Sequence, residues 1–134
     1  MVNYDLLIKE AIIARGNSYS PYSNFKVGCA LLTSSGKIYR GCNVENAAYS
    51  ETICAERASI LNAVSCGERE LCAIAIVGGI NEINDFTYPC GSCRQVLSEF
   101  ADESLEIVLF NGKETKLCTL CQLFPNSFTK KSIK

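Results

Sequence analysis

From Leu71 to Val77 the chain reads Leu-Cys-Ala-Ile-Ala-Ile-Val, an apolar run without a polar break. A strand with one wet face alternates apolar and polar residues, whereas a short unbroken run bounded by turn residues suits a strand covered on both faces. Gly78 and Gly79 end this run, and Leu105 to Phe110 reads as a second buried strand. Between them, Pro89 introduces a helix predicted from about Gly91 to Ala101, with Val96, Leu97 and Phe100 turned inward. Strand, helix and strand in that order imply a layered α/β fold with at least some parallel pairing.

The flanking segments fit this reading. Residues 3–15 place Leu6, Leu7, Ile8, Ala11, Ile12 and Ala14 at helical spacing, and Gly16-Asn17 provides the stop. A Ser/Asn/Pro loop over residues 17–24 leads into a predicted hairpin, Phe25 to Thr33 and Lys37 to Val44, turning at Ser34-Ser35-Gly36. Asn46 to Thr52 is an irregular polar connection, and Cys54 to Val64 is a predicted helix with Cys54, Ala58, Leu61 and Val64 on its apolar stripe. Asn111-Gly112 signals a turn before a short helix near Thr119 to Leu123. With 134 residues and no linker, repeat or low-complexity tract, residues 1–134 are expected to form a single domain.

Composition narrows the function. The chain is 48% apolar and 20% charged, a globular balance. No run approaches the ~20 apolar residues of a membrane span, and Asp5 and Glu10 interrupt the first helix, so a cytoplasmic protein is expected. Net charge is −1, and the basic residues Lys130, Lys131 and Lys134 cluster in the tail, where they read as a solvated, frayed end. A nucleic-acid polymer is therefore not an expected partner, whereas a small nucleoside is compatible. There are nine cysteines and no histidine. Histidine-based triads and histidine metal sites are excluded, which leaves acid–base work to a carboxylate, a lysine or metal-bound water. Without a secretory signal the cysteines are expected as reduced thiols, some of them metal ligands.

Cys54 opens one predicted helix, in Cys54-Ala55-Glu56-Arg57. Cys90 and Cys93 open the next, in Pro89-Cys90-Gly91-Ser92-Cys93-Arg94-Gln95. Spacing of i, i+3 turns two sulfurs the same way, and a helix N-terminus favours thiolate. If the two helix starts abut, three thiolates converge and leave a fourth tetrahedral position for water, as in a catalytic zinc site. Glu56 would then be a carboxylate beside that water. Alternatives stand at this point. Cys90-x-x-Cys93 also suits a redox pair, and with Cys118-x-x-Cys121 it suits a structural four-cysteine zinc ribbon. Leu117, Leu120 and Leu123 surround the second pair in a helical apolar pattern, which favours core cysteines there.

Cys54-x-Glu56 followed by Pro89-Cys90-x-x-Cys93 is the three-cysteine variant of a zinc-deaminase signature. Other segments agree in order: Tyr22-Ser23-x-Phe25-x-Val27-Gly28-x-Ala30-Leu31, Gly41-x-Asn43-Val44-Glu45-Asn46-Ala47-Ala48-Tyr49 and Leu123-x-Pro125-x-x-Phe128. Across nearly its whole length the chain resembles the cytidine deaminase family, in its small, homotetrameric form. Phe124 in place of a leucine and the basic ending from Thr129 to Lys134 depart from the family pattern, and the resemblance assigns no metal to Cys118 or Cys121.

The resemblance implies a three-layer α/β/α sandwich around a mixed five-stranded sheet, and one Zn²⁺ per chain on Cys54, Cys90 and Cys93. It implies hydrolytic deamination of cytidine and deoxycytidine, with hydroxide on the zinc attacking C4 and Glu56 shuttling protons. Three thiolates leave such a site electron-rich, so Arg57 is expected to draw charge back by hydrogen bonding to ligand sulfurs. Asn43 and Glu45 resemble the pair that binds the ribose 3′-hydroxyl, Phe25 the ring that packs on the pyrimidine, and Ala55 a backbone contact to the base. Tyr49 and Phe128 resemble groups that close the pocket, partly from neighbouring subunits of a homotetramer.

Overall fold

The computed structural model describes residues 1–133. Its centre is the apolar run around Ile74: β3 (Leu71–Gly79) is buried throughout except at Cys72. Beside it lie β1 (Lys26–Thr33), antiparallel, and β4 (Glu106–Phe110), parallel. β2 (Ile38–Cys42) and β5 (Thr115–Thr119) pair antiparallel on the outside, giving a mixed five-stranded sheet in the order β2-β1-β3-β4-β5. The parallel pair is the one joined through a helix, α3 (Gly91–Phe100), as a crossover requires.

Helices cover both faces. On one, α1 (Tyr4–Arg15) packs Leu7, Ile8 and Ala11 against Ala30, Ala73, Ala75, Val77 and Val108. Asn3 caps it by accepting the Leu6 N–H at 3.0 Å. Leu6 and Ile12, expected on its apolar stripe, stay 41% exposed. On the other face, α2 (Ala55–Ser65), α3 and the short α4 (Leu120–Leu123) enclose Cys29, Leu31, Ile74, Ile76, Ile107 and Leu109. The three-layer α/β/α architecture expected from the resemblance is therefore present.

The buried face of α2 differs from the predicted stripe. Ala55, Glu56, Ser59, Ile60 and Ala63 are inside, while Leu61 is exposed. The helix approaches closely at Gly41, where a Cβ would stand 2.5 Å from the Ala55 carbonyl oxygen, so the small residues Ala55 and Ser59 meet the sheet at this point. On the opposite face Gly28 does the same for α1, where a Cβ would collide with the Ala11 carbonyl.

The carboxyl end also departs from expectation. Cys118 is buried on β5 and Cys121 is exposed on α4, so the two do not share a helix, and Leu117 is exposed as well. The strand persists to Thr119, which then closes a capping box with Gln122. Residues Lys130–Ile133 form a 3₁₀ turn, with the Lys130 ammonium donating to the Glu99 carbonyl at 3.2 Å. Residues 130–133 are otherwise exposed, as a solvated end requires; Lys134 lies outside the described residues.

Candidate active site

Two helix starts meet where the sequence placed its cysteines. Cys54 is the N-cap of α2 and Cys90 the N-cap of α3, with Cys93 one turn further on. The Cys54 and Cys90 sulfurs are 3.9 Å apart, and those of Cys90 and Cys93 3.4 Å. All three sulfurs lie within 4.8 Å of one another, and among the described residues they are the one such group of metal-ligating side chains. Sulfurs placed tetrahedrally at the usual ~2.3 Å from zinc stand about 3.8 Å apart, so the donor set fits the ion in number, softness and spacing. Cys118 and Cys121 do not join the group, which removes the four-cysteine ribbon.

The surroundings treat the sulfurs differently. Cys54 is pulled down to about 5, first by a hydrogen bond from the Cys93 thiol and further by Arg57 and Cys90. Cys93 is pushed up, first as the donor of that bond and then by burial. The Cys93 backbone N–H donates to the Cys90 sulfur at 3.4 Å, using a free group of the helix start. Arg57 folds back along its own turn. Its Nη2 donates to the Thr52 carbonyl at 3.2 Å and to Cys54 Sγ at 3.9 Å, while its buried Nε has no partner among the described residues.

Glu56 points inward from the first turn of α2 and is only 5% exposed. Burial raises its carboxyl from the ordinary 4.5 to about 7, and the charge of Cys54 adds to the rise. From below, on β1, the Cys29 thiol reaches Glu56 Oε1 at 3.9 Å. Nothing in the sequence pattern singled out Cys29; only the pairing of β1 with β2 under α2 brings it there.

Asn43 and Glu45 follow the end of β2 and face the loop that precedes β1. The Asn43 side-chain oxygen accepts from the Val27 N–H at 3.0 Å and from the Ser18 hydroxyl, and its NH₂ donates to the Phe25 carbonyl at 2.8 Å. One amide hydrogen is left over. Glu45 accepts from the backbone N–H groups of Tyr22 at 2.9 Å and Ser23 at 3.1 Å, and from the Ser23 hydroxyl. The Ser23 hydroxyl first, then these backbone donors, hold its carboxyl below the usual range.

Glu45 lines a cavity of about 350 Å³ with Tyr22, Ser23, Tyr49 and Thr52, in which the Tyr49 ring meets that of Tyr22 edge-on at 5.8 Å. Phe25 lines a larger cleft of about 720 Å³ with the loop after β3. Arg15 pins both sides of this cleft, donating to the carbonyls of Lys26, Gly79 and Asn81. Ala55 is wholly buried as the first residue of α2. Tyr49 and Phe128 are 73% and 64% exposed; Phe128 is tied by its carbonyl to Gln95 of α3 at 2.8 Å.

A family model described as the cytidine and deoxycytidylate deaminase zinc-binding region matches residues 1–109, a span that holds all three clustered cysteines and Glu56. The chain belongs to this family. It is 43% identical to a cytidine deaminase of Sporosarcina psychrophila, over 98% of this chain and 96% of that one. It is likewise 43% identical to one of Halalkalibacterium halodurans, over 92% of each. Among solved structures, the cytidine deaminase of Burkholderia pseudomallei superposes with a TM-score of 0.87 at 44% identity, covering 96% of this chain and all of that one. That of Mycobacterium tuberculosis gives 0.82 at 38% identity, covering 96% of this chain and 98% of that one.

Proposed function

We propose that this chain is a zinc-dependent cytidine deaminase, converting cytidine and deoxycytidine with water to uridine or deoxyuridine and ammonia. The observation that carries the reading is the convergence of three sulfurs at two helix starts with a buried carboxylate two residues from one of them. Cys54, Cys90 and Cys93 hold one zinc per chain. The ion's contribution is to lower the pKa of water to about 7 and so supply a nucleophile at neutral pH.

Glu56 does the proton work. Near pH 7 its carboxyl accepts and releases a proton with equal ease. It takes one proton from water and gives it to N3 of the ring, which makes C4 electrophilic. After the C4–O bond forms, it delivers the second water proton to the amino nitrogen. The C4–N bond then breaks and ammonia leaves. One residue suffices because the transfers are consecutive, which suits a chain without histidine.

The remaining residues bind and orient. The spare Asn43 amide hydrogen donates to the ribose 3′-hydroxyl oxygen, and Glu45, an acceptor only, accepts the hydrogen bond that the hydroxyl donates. A single hydroxyl thereby satisfies both side chains. Phe25 packs on the pyrimidine, and the backbone of Ala55 meets the base. Arg57 draws charge from the sulfurs through Cys54. Tyr49 and Phe128, exposed aromatics, close the pocket, partly from neighbouring subunits in a homotetramer. We place the enzyme in the cytoplasm, acting as one domain over residues 1–134; no helix among the described residues is long and apolar enough to cross a membrane. Uridine and ammonia released one-for-one from cytidine would establish the activity, and their absence with zinc bound would refute it.

A further inference from the structure

A glutamate that moves protons has three side-chain torsions, and its carboxylate must be held to one orientation to work. The zinc ligands flank Glu56 from the helix starts, but the group beneath it is Cys29 on β1, whose Sγ lies 3.9 Å from Glu56 Oε1. Cys29 is wholly buried and belongs to the core cluster that includes Ala55 and Ile60, so its side chain faces α2.

The packing that creates the contact is specific. Cys29 pairs in register with Gly41. Because Gly41 has no side chain, the first turn of α2 rests on the sheet at this point, with room for no more than a hydrogen over the Ala55 carbonyl. Glu56, in that turn, is thereby lowered to within reach of a thiol on the neighbouring strand. Burial keeps Cys29 a thiol, and a thiol is a donor. We propose that Cys29 is a positioning residue for the reaction: its S–H holds one carboxylate oxygen of Glu56 against the sheet, so that the other faces the reacting atoms.

This role rests on the deaminase reading, and three measurements separate the two. Turnover of cytidine by the unaltered holoenzyme tests that reading; its failure would remove the reaction and the role with it. With turnover established, Cys29→Ala is expected to lose about five- to tenfold in kcat, the scale of one weak hydrogen bond. KM and zinc content should stay unchanged, and Cys29→Ser, which keeps a donor, should recover most of the loss. A Cys29→Ala enzyme at full kcat, or a folded, zinc-loaded Cys29→Ser no better than Cys29→Ala, would overturn the role. Infrared spectroscopy reads the contact without turnover. The S–H stretching band that Cys29→Ser removes is expected to move to higher wavenumber in Glu56→Ala, where the acceptor is gone. A band that stays in place would overturn the proposal whatever the kinetics show.

Discussion

Arg57 and Glu56 sit side by side on α2, and the structure gives them opposite surroundings. Arg57 reaches back to Cys54 and the Thr52 carbonyl, so its charge bears on the sulfurs. Arg57→Gln keeps a donor but removes that charge, and is expected to bind zinc while losing about tenfold in kcat, roughly 1.4 kcal/mol of barrier. A variant with full zinc and full turnover would show that Arg57 does not tune the metal. Glu56 is buried, and its folded-state value near 7 stands above the ordinary 4.5. Ionisation therefore opposes folding: the stability of the protonated form is complete below about 4.5 and is lost as pH rises towards 7. Cys54, held down to about 5, gains stability as pH rises through the same window, so the Glu56 contribution is read as a difference. The zinc-free unaltered protein should lose melting temperature relative to zinc-free Glu56→Gln between pH 4.5 and 7. A melting temperature that rises from pH 4.5 to 7 in the unaltered protein, relative to that variant, would reverse the sign.

At the scale of elements, the site depends on how closely α2 approaches β2. Gly41→Ala would press a methyl against the Ala55 carbonyl and lift the turn that carries Cys54 and Glu56. An overpacked contact of this kind costs about 1–3 kcal/mol, so melting temperature and zinc affinity should fall together. Wild-type values of both would mean that the helix start does not rest on this strand. This approach also marks the limit of what the sequence disclosed. β1 to β4 and the helix starts were legible, because apolar runs, glycines and Pro89 punctuate them and because Cys54, Cys90 and Cys93 occupy helix-start positions; β5, mostly exposed, has no such run. The face α2 buries was not, since Leu61 outweighs Ser59 by hydropathy while the close approach at Gly41 places Ser59 against the sheet. Cys29 was illegible for the same reason: a cysteine in an apolar strand reads as core until the helix above it is placed.

For the whole molecule, the three-layer sandwich sets both helix starts at one end of the sheet and leaves a set of aromatic residues outside. Tyr49 and Phe128 are too exposed for plain core residues. Their use by neighbouring subunits predicts a tetramer by sedimentation, with Phe128→Ala raising KM while Glu56 and the zinc remain in place. A fully active monomer would exclude shared pockets. The tail is solvated as its charges suggest, while the hold of Lys130 on the Glu99 carbonyl joins segments far apart in the chain and has no local pattern. The central claim is that zinc on three cysteines and Glu56 together deaminate cytidine. Its most direct measurement is the ultraviolet absorbance of cytidine mixed with purified protein, run beside Glu56→Ala, with zinc content determined for both. The account predicts conversion to uridine by the unaltered protein and a loss of at least about 10²-fold in the variant, at one zinc per chain in each. Equal turnover in both proteins, or none in the zinc-loaded unaltered protein, would contradict it.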